Sequence, residues 1–164
     1  MKKTLTLMAV FAVLAAPALA SGTHLGAFNS PVLHPDSLPI GYPGAPVLID
    51  RTIRVSMLDA SDDAMVFDID SIDIANGETI RFVLTNDGSR PHEFVMATPD
   101  EIAHHRAAMG DLPDMKHEAG YAARVDPGET RTLIWKFAND GAFAFACLIP
   151  GHYEAGMHGR LTVN

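Results

Sequence analysis

From position 51 onward, apolar and polar residues alternate with a period of two, the mark of half-buried strands. Ile53, Val55 and Met57 interleave with Arg54 and Ser56, and Ile80, Phe82 and Leu84 repeat the pattern after the turn Asn76-Gly77. Residues 66–74 carry Phe67, Ile69, Ile72 and Ile74 and read as one further strand. Short apolar stretches follow at 93–98, at 130–137 behind Asp126-Pro127-Gly128, at 143–148 behind Asn139-Asp140-Gly141, and at 160–163. Many short strands separated by turn signals predict an all-β domain, either a sandwich or a barrel.

Several stretches depart from that rhythm. Residues 99–108 predict a short helix with Asp100 and Glu101 in its first turn, where negative charge meets the positive end of the helix dipole. A loop containing Gly, Pro, Met and His follows, so that 99–120 forms one short helical insertion. Ahead of the strands, residues 21–48 hold Pro31, Pro35, Pro39, Pro43 and Pro46, which predicts an extended N-terminal arm without regular structure. Residues 1–20 have the form of a secretory signal: Lys2 and Lys3, an apolar run at 5–16 too short to span a bilayer, then Ala18-Leu19-Ala20 as a small-x-small cleavage pattern. The expectation is export, to a bacterial periplasm, with cleavage after Ala20 and no membrane insertion afterwards. The remaining 49–164 reads as one domain.

Charge narrows the partners. The 164 residues carry 12 Lys+Arg against 20 Asp+Glu, and loss of Lys2 and Lys3 would move the balance further to the acid side. An acidic chain without a basic run is unsuited to binding nucleic-acid phosphates. One cysteine excludes an internal disulfide. In an oxidising compartment an unpaired thiol is a liability unless it is buried or bound. A lone Cys is most often a small core hydrophobe, so its neighbours must decide.

Those neighbours carry chemistry. Cys147, His152 and Met157 follow one another with C-x4-H-x4-M spacing on a loop between two predicted strands. Thiolate, imidazole and thioether are soft or borderline donors, which suit copper better than the oxygen-seeking Mg or Ca. His92, after Pro91 at the start of a predicted strand, is the natural source of a second imidazole. Two His, one Cys and a weak axial Met form the ligand field of a type 1 copper centre. Structural zinc prefers four strong ligands. A Cys-His nucleophile pair would need an orienting third residue, and the sequence offers none.

Residues 141–157, with Asn86-Asp87-Gly88-Ser89-Arg90-Pro91-His92 upstream, resemble the cupredoxin family, which includes plastocyanin, azurin and rusticyanin. The loop spacing is most similar to the rusticyanin-like pattern, and Pro-His resembles the plastocyanin-type first histidine. The resemblance covers about residues 50–164 and implies a Greek-key β-sandwich. It also implies one copper near the end of the sandwich, with His92, Cys147 and His152 equatorial and Met157 axial. It further implies that the His152 edge faces solvent as an electron port, with Leu148, Ile149, Pro150 and Tyr153 as candidates for an apolar docking patch around it. Many relatives carry Asn after the first His, whereas this chain has Glu93. The length of the 99–120 excursion is closer to cupredoxins associated with bacterial copper tolerance.

The insertion adds His104, His105, Met109, Met115 and His117. We read these as solvated histidines and gap-filling methionines; the alternative is a second, looser Cu(I) site. The function expected first is a one-electron carrier whose partner is a redox protein such as a cytochrome. The alternative is a copper-tolerance protein that binds or detoxifies excess copper and works with copper-handling proteins. Enzyme activity is not expected, because a multicopper oxidase needs paired His-x-His motifs and the chain has none.

Overall fold

Strand-forming residues dominate the computed structural model, which describes residues 38–61, 63–109 and 120–164. The expected signal at 1–20, most of the arm, and Met115 and His117 lie outside the described residues. The strands are β1 (Gly41–Pro43), β2 (Arg51–Ser61), β3 (Ala64–Phe67), β4 (Ser71–Ile74), β5 (Thr79–Asn86), β6 (His92–Ala97), β7 (Ala122–Val125), β8 (Thr130–Phe137), β9 (Gly141–Ala146) and β10 (His158–Val163). They form two five-stranded sheets, ordered β1-β8-β5-β2-β3 and β4-β10-β9-β6-β7. Most neighbours are antiparallel, while β2/β5 and β4/β10 run parallel. This is the expected Greek-key sandwich.

The alternating residues meet between the sheets. Val55 and Met57 from β2, Phe82 and Leu84 from β5, and Trp135 and Phe137 from β8 face Phe94, Met96, Phe145 and Leu161 of the other sheet. Phe94 stands at the middle of an aromatic cluster, 5.6 Å from Phe67, 5.3 Å from Phe82 and 5.4 Å from Phe145 between ring centroids. Offset and edge-on ring pairs of this kind add to the stabilisation from apolar burial.

The structure revises two expectations. The strand expected over 66–74 is two strands in different sheets, β3 and β4. The apolar positions change parity between Ile69 and Ile72, which a single flat strand cannot accommodate with one face inward. The chain turns there, and Asp68 closes the turn by accepting a hydrogen bond from the Ser56 backbone N–H at 2.8 Å. The end of the expected arm is also structured. Gly41–Pro43 pairs with β8, and the Trp135 indole donates to the Ile40 carbonyl at 3.4 Å. A single 3-10 turn, Pro46–Leu48, follows.

The helix α1 (Pro99–Met109) lies over the outer face of the second sheet. Its start is a capping box: Thr98 Oγ1 accepts from the Glu101 N–H at 3.2 Å, and Glu101 Oε2 accepts from the Thr98 N–H at 2.9 Å. Pro99 occupies the first helical position, where a missing N–H has no cost. Ile102 is buried among Val95, Ala97, Ala146 and Leu148. Covered on both faces, β6 is therefore buried along its whole length.

Replacing Phe82 tests this core, since it is fully buried and touches both Phe94 and Phe137. We expect Phe82→Ala to lower stability by about 3–5 kcal/mol in urea unfolding. A loss below about 1 kcal/mol would show that the cluster does not hold the sheets together.

Candidate metal centre

In the second sheet, β6 opens with His92, and its neighbour β9 ends one residue before Cys147. Since β6 and β9 pair directly, with Val95 opposite Ala146, the two residues arrive at the same end of the sheet. The loop 147–157 then returns on itself. The Cys147 N–H donates to the Met157 carbonyl and the Met157 N–H to the His152 carbonyl, both at 3.0 Å. Gly151 and Gly156 have φ of 86° and 104°, a left-handed conformation that costs other residues about 1–2 kcal/mol. Those two bends let His152 turn inward and bring Met157 back to the start of β10.

The result is a tight group of donors. His92 Nδ1 lies 3.2 Å from His152 Nδ1, and Cys147 Sγ lies 3.3 Å from His152 Nδ1. One ligand atom from each of the three residues falls within 4.8 Å of the others, and all three residues are buried. Met157 is fully buried at the loop's close. The Glu93 backbone N–H donates to Cys147 Sγ at 3.3 Å, the contact that suits a thiolate sulfur.

Electrostatics reinforce the geometry. Burial pushes the Cys147 thiol up to about 12, against the lowering effect of amide hydrogen bonds from Glu93 and Ile149. Burial, together with the neighbouring His92, lowers His152 to about 4. His92 is lowered by burial, while Asp59 beside it acts in the opposite sense. At neutral pH the two imidazoles are therefore uncharged and offer lone pairs without first losing a proton. Two neutral imidazoles and a sulfur facing one dry space, with a thioether residue beside them, fit a copper ion. Zinc would lack a fourth strong donor here.

Side chains outside the donor set hold this arrangement. Asp59 at the far end of β2 accepts from His92 Nε2 at 3.0 Å. Fully buried Asn86 donates through Nδ2 to the Arg90 carbonyl at 2.7 Å and the Val125 carbonyl at 2.9 Å, fixing the loop before His92. Asn86 belongs to the segment that carries the family resemblance, whereas nothing near Asp59 in sequence marks it. Glu93, which stands where many relatives carry Asn, directs its carboxylate to Arg124 at 3.8 Å. Its backbone N–H joins the two ligand loops by donating to Cys147 Sγ.

The outer features divide. Leu148 is buried beneath α1 and cannot belong to a docking patch; Ile149 and Tyr153 are half-buried and Pro150 is exposed. Tyr153 is stacked on His158 at 4.4 Å, with the Arg106 guanidinium 4.4 Å from its ring centroid. On α1, His104 is exposed and His105 half-buried, while Met96 on β6 points into the sandwich core. The Met109 side chain, Met115 and His117 lie outside the described residues.

Fold and donor set together define a copper-binding β-sandwich. The family model for copper binding proteins of the plastocyanin/azurin family matches residues 54–164. The chain belongs to that family. It is 41% identical over 159 residues to the copper-resistant cuproprotein CopI of Rubrivivax gelatinosus, covering 97% of this chain and 93% of that one. The CopI of Vibrio cholerae is 33% identical over 118 residues, 72% of this chain and 68% of its own. Among solved structures, the fold is shared with auracyanin from Roseiflexus castenholzii at a TM-score of 0.58 and 23% identity, covering 71% of this chain and 98% of that one.

Glu93 gives a direct test of the buried electrostatics. Burial raises its carboxyl from 4.5 to about 7, with Arg124 opposing. Between those values the folded chain holds a proton that the unfolded chain releases, so the cost of burial appears as pH rises and is absent below pH 4.5. The metal-free Glu93→Gln variant should match the wild type in urea unfolding near pH 4, below the unfolded value of 4.5. At pH 8 it should exceed the wild type by on the order of 1–3 kcal/mol. An equal difference at both pH values would refute a charge-linked cost.

Proposed function

We propose that this protein is an exported, periplasmic copper-tolerance cupredoxin that holds one type 1 copper ion through His92, Cys147 and His152, with Met157 as axial donor. The observation that carries the copper site is the convergence of the three buried donors within 4.8 Å. The tolerance role, ranked second on the sequence, moves ahead of the electron-carrier role because relatives at 41% and 33% identity are named copper-resistant cuproproteins. A bound copper would supply one-electron exchange between its two oxidation states.

The residues of this chain set the terms of that binding. Cys147 would provide the strongest bond as a thiolate, with the Glu93 N–H stabilising negative charge on its sulfur. The self-closed loop 147–157 keeps His152 and Met157 in place whether or not charge changes at the site. His152, 7% exposed, borders a shallow depression lined by Met65, Arg90 and Pro150, which gives electrons a short path to a partner. That partner would be a redox or copper-handling protein, a cytochrome being the natural carrier-type candidate, steered by the acidic surface. Such a protein binds and relays; it is not an enzyme.

Copper titration of the mature protein should saturate at one equivalent with a strong visible charge-transfer band, and Cys147→Ser should abolish the band. A strain lacking the protein should lose growth in excess copper while respiring normally, and the Cys147→Ser gene should not restore it. A respiratory defect with unchanged copper tolerance would return the carrier role to first place. Retention of the band in Cys147→Ser would overturn the site itself.

A further inference from the structure

His92 has two ring nitrogens, and the space it faces needs a lone pair from only one of them. Nδ1 points at His152 and Cys147, while Nε2 points the other way, to Asp59 Oδ1 at 3.0 Å. The carboxylate is held from its other oxygen: Asp59 Oδ2 accepts from the Ser89 N–H at 2.6 Å and from the Ser89 hydroxyl at 2.8 Å. With its oxygens taking three donated hydrogen bonds, Asp59 is an acceptor throughout. If His92 carried its proton on Nδ1, an Nε2 lone pair would face a carboxylate oxygen at hydrogen-bond distance, and the two would repel. The arrangement therefore fixes the proton on Nε2 and leaves Nδ1 free to donate electrons.

The surrounding chain is shaped for this contact. β2 runs on past its pairing with β5, which ends at Met57, and its pairing with β3 shifts register between Asp59 and Ser61, a bulge that re-aims side chains at the sheet's end. Gly88 lies against the pair: a Cβ there would stand 3.0 Å from His92 Nε2 and 3.1 Å from Asp59 Cγ. Glycine at 88 leaves room for the hydrogen bond. Asp59 belongs to one sheet and His92 to the other, so the contact also spans the sandwich.

We propose that Asp59 is a positioning residue for the copper site, fixing the Nε2–H tautomer of His92 and, through its negative charge, strengthening Nδ1 as a donor that favours the more highly charged state of the metal. This rests on the copper reading of the site, although its first consequence is visible without metal. A carboxylate behind a ligating imidazole is a known way to set ring orientation and basicity, and its loss commonly costs about 10–100-fold in metal affinity.

The test compares full-length mature wild type with Asp59→Asn, which keeps an acceptor but removes the charge, and with Gly88→Ala, which leaves the carboxylate and crowds the contact. In the metal-free wild type, nitrogen NMR of the imidazole should show His92 protonated on Nε2 and bare on Nδ1. Asp59→Asn should keep its fold by circular dichroism, bind Cu(II) about 10–100-fold more weakly with a smaller loss for Cu(I), and so raise the reduction potential. Gly88→Ala should move these readouts in the same direction. A wild-type His92 protonated on Nδ1 overturns the proposal, as does an Asp59→Asn variant with unchanged Cu(II) affinity and potential. If copper bound neither protein, the copper reading would fail and with it the proposed strengthening of the donor; the NMR result would still decide the tautomer.

Discussion

Everything at the metal centre depends on keeping water away from three donor side chains that have little reason to be buried together. An imidazole or thiol taken from water into an apolar interior loses hydrogen bonds that must be replaced. Here His92 recovers one from Asp59, Cys147 recovers one from the Glu93 amide, and the remaining lone pairs point at one another. A sandwich with Phe94, Phe145 and Leu161 packed behind the site is what makes that exposure to water unavailable. The donors are strong because they are dry, and they stay dry because the aromatic core is complete.

The parts of this arrangement differ in how far apart they sit along the chain, and that governs what could be read in advance. Cys147, His152 and Met157 share one loop, so their spacing is visible directly, and His92 is marked by the turn residues before it. The alternation in β2, β5 and β8 reveals a sandwich because each strand buries one face. The split of 66–74 was concealed because parity changes by a single residue while the composition stays strand-like. Strand β7 was hidden in turn by its small residues: Ala122 and Ala123 pack closely without an apolar run. Asp59 lies 33 residues from His92, and its role depends on strand length, a bulge and a glycine on another loop. No local pattern encodes that.

The insertion is likewise less detached than its polar composition implies. Thr98 and Glu101 secure the start of α1, Ile102 roots it in the outer face of the second sheet, and Arg106 reaches over Tyr153 and to Glu154 at 3.7 Å. The helix thus covers the back of the strand that begins with His92 and touches the loop that carries His152. The helix α1 is attached to the metal centre from outside.

The Asp59–His92 bond joins the two sheets at the edge where the donors gather. A chain whose sheets have formed but have not yet docked would have Cys147, His152 and Met157 beside His92 on one sheet, yet no carboxylate to orient that imidazole. Tight copper capture would then wait for the sandwich to close, so that the ion acts as an inspector of finished molecules. Such a delay would protect the thiol of half-folded chains from the very metal it is built to hold.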